Sequence, residues 1–147
     1  MGGGNDCDGM LQILPTVLDT LFVINGVYDL LCAVACVLFP NTPIFSTLAK
    51  IHRGMYKDHS DCTNPVVNRL LGYWIACYGM VRVAMITQNT PIAYLTAGTY
   101  VLEALAWCIE GLAHQAAVRA RVVPVVILSV LMAGAAGARP MAGQRIF

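Results

Sequence analysis

Residues 66–113 read VVNRLLGYWIACYGMVRVAMITQNTPIAYLTAGTYVLEALAWCIEGLA, and this stretch decides the fold. It holds two long apolar runs separated by Gln88-Asn89-Thr90-Pro91. A helix needs about 20 mostly apolar residues to cross the hydrocarbon of a bilayer, and each run supplies them. Four residues between the runs leave room only for a tight helical-hairpin turn. Pro91 then falls near the first turn of the second run, where its missing N–H costs nothing.

Working outward, a further run extends from Leu18 to Phe39, after Pro15 and before the Pro40–Pro43 turn. Another covers Val122 to Ala138 and is the shortest. The expected spans are 18–39, 66–87, 92–113 and 122–138, and the segment from Asn41 to Asn64 is the one sizeable polar stretch. Of 147 residues 58% are hydrophobic and 12% charged, about half the charge content of a soluble domain. Mean hydropathy is +0.67. The expected fold class is therefore all-α: a polytopic membrane protein whose four transmembrane helices form a bundle of two hairpins in one membrane domain. A net charge of +1 with scattered Lys and Arg excludes a phosphate-gripping surface, so no nucleic-acid partner is expected.

Basic residues near span ends orient such a bundle. Lys50, Arg53, Lys57, Arg69, Arg119 and Arg121 lie on the side of the first and third loops; Arg139 and Arg145 lie with the termini, and Arg82 nearby. Both termini are expected to face away from the cytoplasm, matrix or stroma. The N-terminus, Met1-Gly2-Gly3-Gly4-Asn5-Asp6, lacks the Ser or Thr of a myristoylation signal. Its acidity is unlike a mitochondrial or plastid presequence. The first span can serve as an uncleaved insertion signal. The expected membranes are the endoplasmic reticulum, a bacterial or viral membrane, or an organelle inner membrane reached without a standard presequence.

Cys32, Cys36, Cys77 and Cys108 fall inside spans, where they behave as small apolar residues. Cys7 and Cys62 fall on opposite sides in this topology, so no bridge between them is expected. No His or Cys cluster completes a metal site.

Charges at bilayer depth are costly, roughly 2.5–3.5 kcal/mol each on insertion scales, and they mark partners or cavities. Asp29, Arg82, Glu103 and Glu110 stand out. Asp29 and Glu103 fall near the middle of the first and third spans. Arg82 lies about a turn and a half from the end of the second, and its long side chain can reach inward. The expectation is that Arg82 pairs with Asp29, Glu103 or both, and that Glu110 pairs with Arg69. Tyr100, Glu103, Trp107, Glu110 and His114 recur at steps of three and four, which places them on one helix face. Asn25, Tyr28 and Asp29 make a polar patch on the first helix. Gly72, Ala76 and Gly79 form a stripe of small residues that lets membrane helices approach closely.

Three uses of this polar face stay open. Paired charges can simply fix register and partner choice. The face can line a site for a lipid, sterol or pigment, although no cofactor is otherwise expected. Or Glu103 and Glu110 can act as acid and base of a small lipid or sterol isomerase. The two carboxylates lie about two turns apart, and no nucleophile–base pair, phosphate loop or zinc helix accompanies them. His52, His59 and His114 read as interfacial or solvated residues, and Trp74 and Trp107 as packing. With no Lys in the spans, a retinal Schiff base is not expected.

Arg69-Leu70-Leu71-Gly72-Tyr73-Trp74 followed by Arg82 resembles a pattern of the ergosterol-biosynthesis scaffold family. Tyr94, the pair Thr99-Tyr100, and Glu110 are similar to a further run of that family. The family's His-Phe is replaced here by Ala106-Trp107. The resemblance covers about 50 residues. It implies a four-helix endoplasmic-reticulum protein that tethers sterol-synthesis enzymes without catalysing a step. Asp29 ahead of Pro40 is loosely similar to the emopamil-binding, sigma-2-receptor-like family, whose members bind sterols between helices. The resulting expectation is a non-catalytic scaffold or accessory subunit, partnered by membrane lipids and other membrane proteins. The alternatives are a supernumerary subunit of a respiratory or photosynthetic complex and a small isomerase using Glu103 and Glu110.

Overall fold

The computed structural model describes residues 6–38, 55 and 65–143. Four long helices dominate these residues. Helix α1 is Asp6–Val37, α2 is Pro65–Val83, α3 is Thr90–Cys108 and α4 is Arg119–Gly143. The stretches long and apolar enough to span a membrane are Val17–Val37, Val66–Thr87, Thr90–Ala113 and Arg119–Arg139. The expected four spans are therefore present. The fourth is longer than Val122–Ala138 and equals the first, at 21 residues each. Helix α1 begins well before its apolar stretch and continues through Pro15. The question of a Cys7–Cys62 bridge lies outside the described residues, as do His52, His59, Lys50, Arg53 and Lys57.

The α2–α3 connection is a short turn. A single 3-10 turn, Ala84–Thr87, closes α2, and Gln88 takes a left-handed backbone with φ 53°. Thr87 Oγ1 donates to the Ala84 carbonyl at 2.8 Å, satisfying an acceptor that the helix end leaves free. Asn89 is extended and Pro91 follows in the first turn of α3. At the other end α3 widens into a π-turn, Ile109–Ala113, in which the His114 N–H donates to the Ile109 carbonyl. Gln115, also left-handed at φ 52°, then reverses the chain. The Val118 N–H donates to the Met55 carbonyl at 2.7 Å, tying Met55 to the α3–α4 connection.

Helix α1 packs chiefly on α2, and α3 on α4, giving two hairpins. The α1–α2 contact depends on glycine. A Cβ on Gly26 would sit 2.7 Å from the Val83 nitrogen and 2.8 Å from the Gly79 oxygen. The two backbones touch there, as small residues permit in membrane helix pairs. Gly72 meets Val37, Ala33 and Cys36 in the same way. Cys32 and Cys36 are buried in this seam.

The hairpins join at the end nearest the α2–α3 turn. Phe22, Met85, Ala93, Tyr100 and Ala136 form a buried cluster drawn from all four helices. A second cluster, Met55, Ala117 and Val122 with Trp107 beside it, closes the opposite end. Outside these seams the helices present Leu, Ile and Val to the surroundings, among them Leu70, Ile86, Leu112 and Leu131, each more than 60% exposed. Such a continuous apolar exterior is incompatible with water and suits lipid chains. The chain is a multi-pass integral membrane protein.

Candidate functional site

Arg82 occupies the last turn of α2, and its side chain is 1% exposed. Nη1 donates to Asp29 Oδ2 on α1 at 2.6 Å, and Nη2 to Glu103 Oε2 on α3 at 2.6 Å. Nε donates to Thr99 Oγ1 at 3.3 Å, and that hydroxyl donates onward to the Thr96 carbonyl at 2.8 Å. The guanidinium carbon lies 3.8 Å from the Tyr100 ring centroid and 5.4 Å from that of Tyr78. Cation–π attraction of this kind strengthens where water is absent. Asn25 donates to the Tyr100 hydroxyl at 2.9 Å, so the polar patch of α1 also holds the ring against which Arg82 lies.

This arrangement follows from local sequence. Tyr78 and Arg82 are four residues apart on α2, and Thr96, Thr99, Tyr100 and Glu103 are three or four apart on α3. Each set therefore shares one helix face. Arg, unlike Lys, offers a planar fork that can serve two carboxylates and a hydroxyl at once. Asp29 and Arg82 belong to one hairpin and Glu103 to the other, so the guanidinium bridges the two. Two carboxylates face one guanidinium, and the cluster carries an excess of acceptors.

Two clefts flank the cluster. One, of about 360 Å³, opens between α2 and α3. Asp29, Arg82 and Glu103 form its inner end, Trp74, Tyr78 and Trp107 its aromatic wall, and Glu110 its outer end. The other, of about 530 Å³, lies between α1 and α4, with Tyr28, Asp29, Tyr100, Glu103 and Ser129 among its walls. Asp29, Glu103 and Trp107 face both clefts.

The structure thus brings together Asp29, Arg82, Glu103 and Tyr100, with Trp107 and Glu110 further along the same cleft. Arg69 and Glu110 do not pair among the described residues: Arg69 is exposed and does not line the cleft that Glu110 lines. The sequence carries no information on the lateral distance between the two side chains. Beyond the turn, α2 and α3 diverge and the cleft lies between them. His114 is exposed and lines neither cleft. The π-turn inserts an i→i+5 step between Glu110 and His114, which breaks the three-four spacing. Among the described residues no group of His, Cys, Asp and Glu is placed to hold a metal ion.

One charged pair is not foreshadowed by the sequence pattern. Asp19 on α1 contacts Arg139 on α4 in a second ion pair between the hairpins. An acidic residue within the first turn of an apolar run, opposite an Arg ending another run, was the available signal.

A family model described as Erg28 like protein matches residues 26–133. No curated protein and no solved structure matches the chain. The matched stretch begins just before Asp29 and includes Arg82 and Glu103, but leaves out Asp19 and Arg139.

Proposed function

The chain belongs to the Erg28-like family, and from that premise we propose that it is a non-catalytic membrane scaffold that gathers sterol-synthesis enzymes into one assembly. The carrying observation is the state of its carboxylates. An isomerase of the kind considered above needs Asp29, Glu103 and Glu110 in a cavity with nothing neutralising them. Here Arg82 engages both Asp29 and Glu103 at 2.6 Å. A guanidinium in that position fixes the two carboxylates as its counter-ions, which suits a rigid architecture and opposes proton shuttling. The apolar exterior makes the lipid-facing helix surfaces available to partner membrane proteins.

The proposed residence is the endoplasmic reticulum, in keeping with the scaffold family. The proposed orientation puts the Lys50–Lys57 loop and Arg119 on the cytoplasmic side, following the excess of basic residues there.

Affinity purification of the full chain in mild detergent tests the function. The expected result is recovery of several sterol-synthesis enzymes, and loss of most of that recovery with Glu103→Gln. A chain that purifies alone and turns over a sterol substrate, with Glu103→Gln abolishing turnover but not assembly, would overturn the scaffold reading.

A further inference from the structure

The α2–α3 cleft has features that holding four helices together does not require. Its volume of about 360 Å³ falls in the range of small-molecule sites, about 300–1,000 Å³, which are mostly apolar with a few convergent polar groups. Val67, Leu70, Leu71, Ile75 and Ala106 make most of its surface apolar. Apart from Glu110 at the outer end, its charged groups converge at the inner end. There Glu103 is the open member of the charge cluster: its side chain is 23% exposed, against 9% for Asp29 and 1% for Arg82. Beside it the Tyr78 hydroxyl is buried and has no hydrogen-bond partner among the described residues. A buried hydroxyl without a partner is uncommon and costly.

We propose that this cleft binds an apolar lipid alcohol, its hydroxyl placed at Glu103 and Tyr78 and its hydrocarbon body lying along α2 and α3 towards Val67. The hydrogen-bond inventory fixes the class. Three of the five Arg82 N–H groups are already engaged, while Glu103 is partly exposed and the Tyr78 hydroxyl has no partner among the described residues. A ligand group that both donates and accepts fits this pair. Two carboxylates against one guanidinium repel a phosphate headgroup. A hydroxyl donates to Glu103 and also accepts from Tyr78, whereas a ketone or an ether cannot donate. Sites built around a ligand hydroxyl reject analogues that leave their buried polar groups unpaired. This proposal stands independently of the scaffold reading, since it rests on the cleft alone.

The test uses the full chain in lipid nanodiscs and cholesterol carrying a diazirine on its ring system as the photoreactive probe. Saturable labelling within residues 65–83 or 90–108 is expected. Unlabelled cholesterol or octadecanol should compete, and their ratio reads whether the cleft prefers a rigid or a flexible body. The 3-ketone and the 3-methyl ether of cholesterol should compete at least tenfold more weakly. Tyr78→Phe keeps the ring beside Arg82 and deletes only the unpartnered hydroxyl. It should weaken labelling several-fold while leaving the unfolding midpoint unchanged, a separation that a purely structural hydroxyl would not give. Ala106→Phe, which fills the cleft without touching the charge cluster, should abolish the competed labelling. Labelling that does not saturate, that maps outside α2 and α3, that the ketone competes equally, or that survives both substitutions would overturn the proposal.

Discussion

Arg82 is the residue on which the rest of the bundle turns. Removing one partner of a buried ion pair leaves an uncompensated charge and typically costs about 3–5 kcal/mol. Arg82→Met leaves two carboxylates, Asp29 and Glu103, facing each other within an apolar bundle. A loss of that order is expected in reversible unfolding by sodium dodecyl sulfate in mixed micelles. Arg82→Lys keeps the charge but not the fork, and is expected to recover only part of it. Unfolding of Arg82→Met and of Arg82→Lys at the wild-type midpoint would sink this assignment. The triad was legible in the sequence because an Arg at that depth has few alternatives to finding carboxylates. The pairing of Asp19 with Arg139 was not, because residues within a turn of a span end can reach water instead. Arg69 and Glu110 misled for the opposite reason. They share a depth, and sequence carries depth well, but the width of the gap between two helices is set by packing elsewhere.

At the scale of the elements, the two hairpins differ in how they are held. The α1–α2 seam is a backbone contact at Gly26 and Gly79, where an added Cβ on Gly79 would lie 2.9 Å from the Gly26 carbonyl oxygen and from Leu30. Gly79→Leu must separate the helices, and overpacking of this kind costs about 1–3 kcal/mol. Gly98 on α3 has no atom within 4 Å of where a Cβ would be, so Gly98→Ala should be neutral or slightly stabilising. The two variants, compared by thermal unfolding in detergent, should therefore diverge in sign or at least in size. Equal effects would mean that the seam is not where the glycines place it. The small-residue stripe Gly72, Ala76 and Gly79 makes this seam readable from the sequence alone. The aromatic–acidic stripe of α3 is readable only as far as Glu110. Its continuation to His114 assumes an unbroken α-helix, and the π-turn at Ile109–Ala113 rotates His114 away.

Over the whole molecule, four helices form two hairpins that meet at one end in an apolar cluster and stand apart along two clefts. Links between the hairpins include Arg82 with Glu103 and Thr99, Asn25 with Tyr100, Asp19 with Arg139, and the Phe22–Tyr100 contact with ring centroids 6.0 Å apart. The four spans were legible because lipid imposes length and apolarity on any crossing helix. The clefts were not, since they depend on how far the hairpins splay, and no run of residues encodes that angle. A scaffold needs its outer faces held in a fixed relation, and in this bundle both the polar links and the Phe22–Tyr100–Ala136 cluster join the two hairpins.

The Arg82–Glu103 contact couples the two hairpins. Its most direct measurement is a double-mutant cycle on Arg82→Met and Glu103→Gln, read as unfolding free energy of the full chain in mixed micelles. Directly interacting residues show coupling of about 0.5–3 kcal/mol, whereas independent sites add to within about 0.3–0.5 kcal/mol. Coupling of about 1 kcal/mol or more is expected, with the double variant more stable than the sum of the single losses implies. Strict additivity of the two substitutions would contradict it.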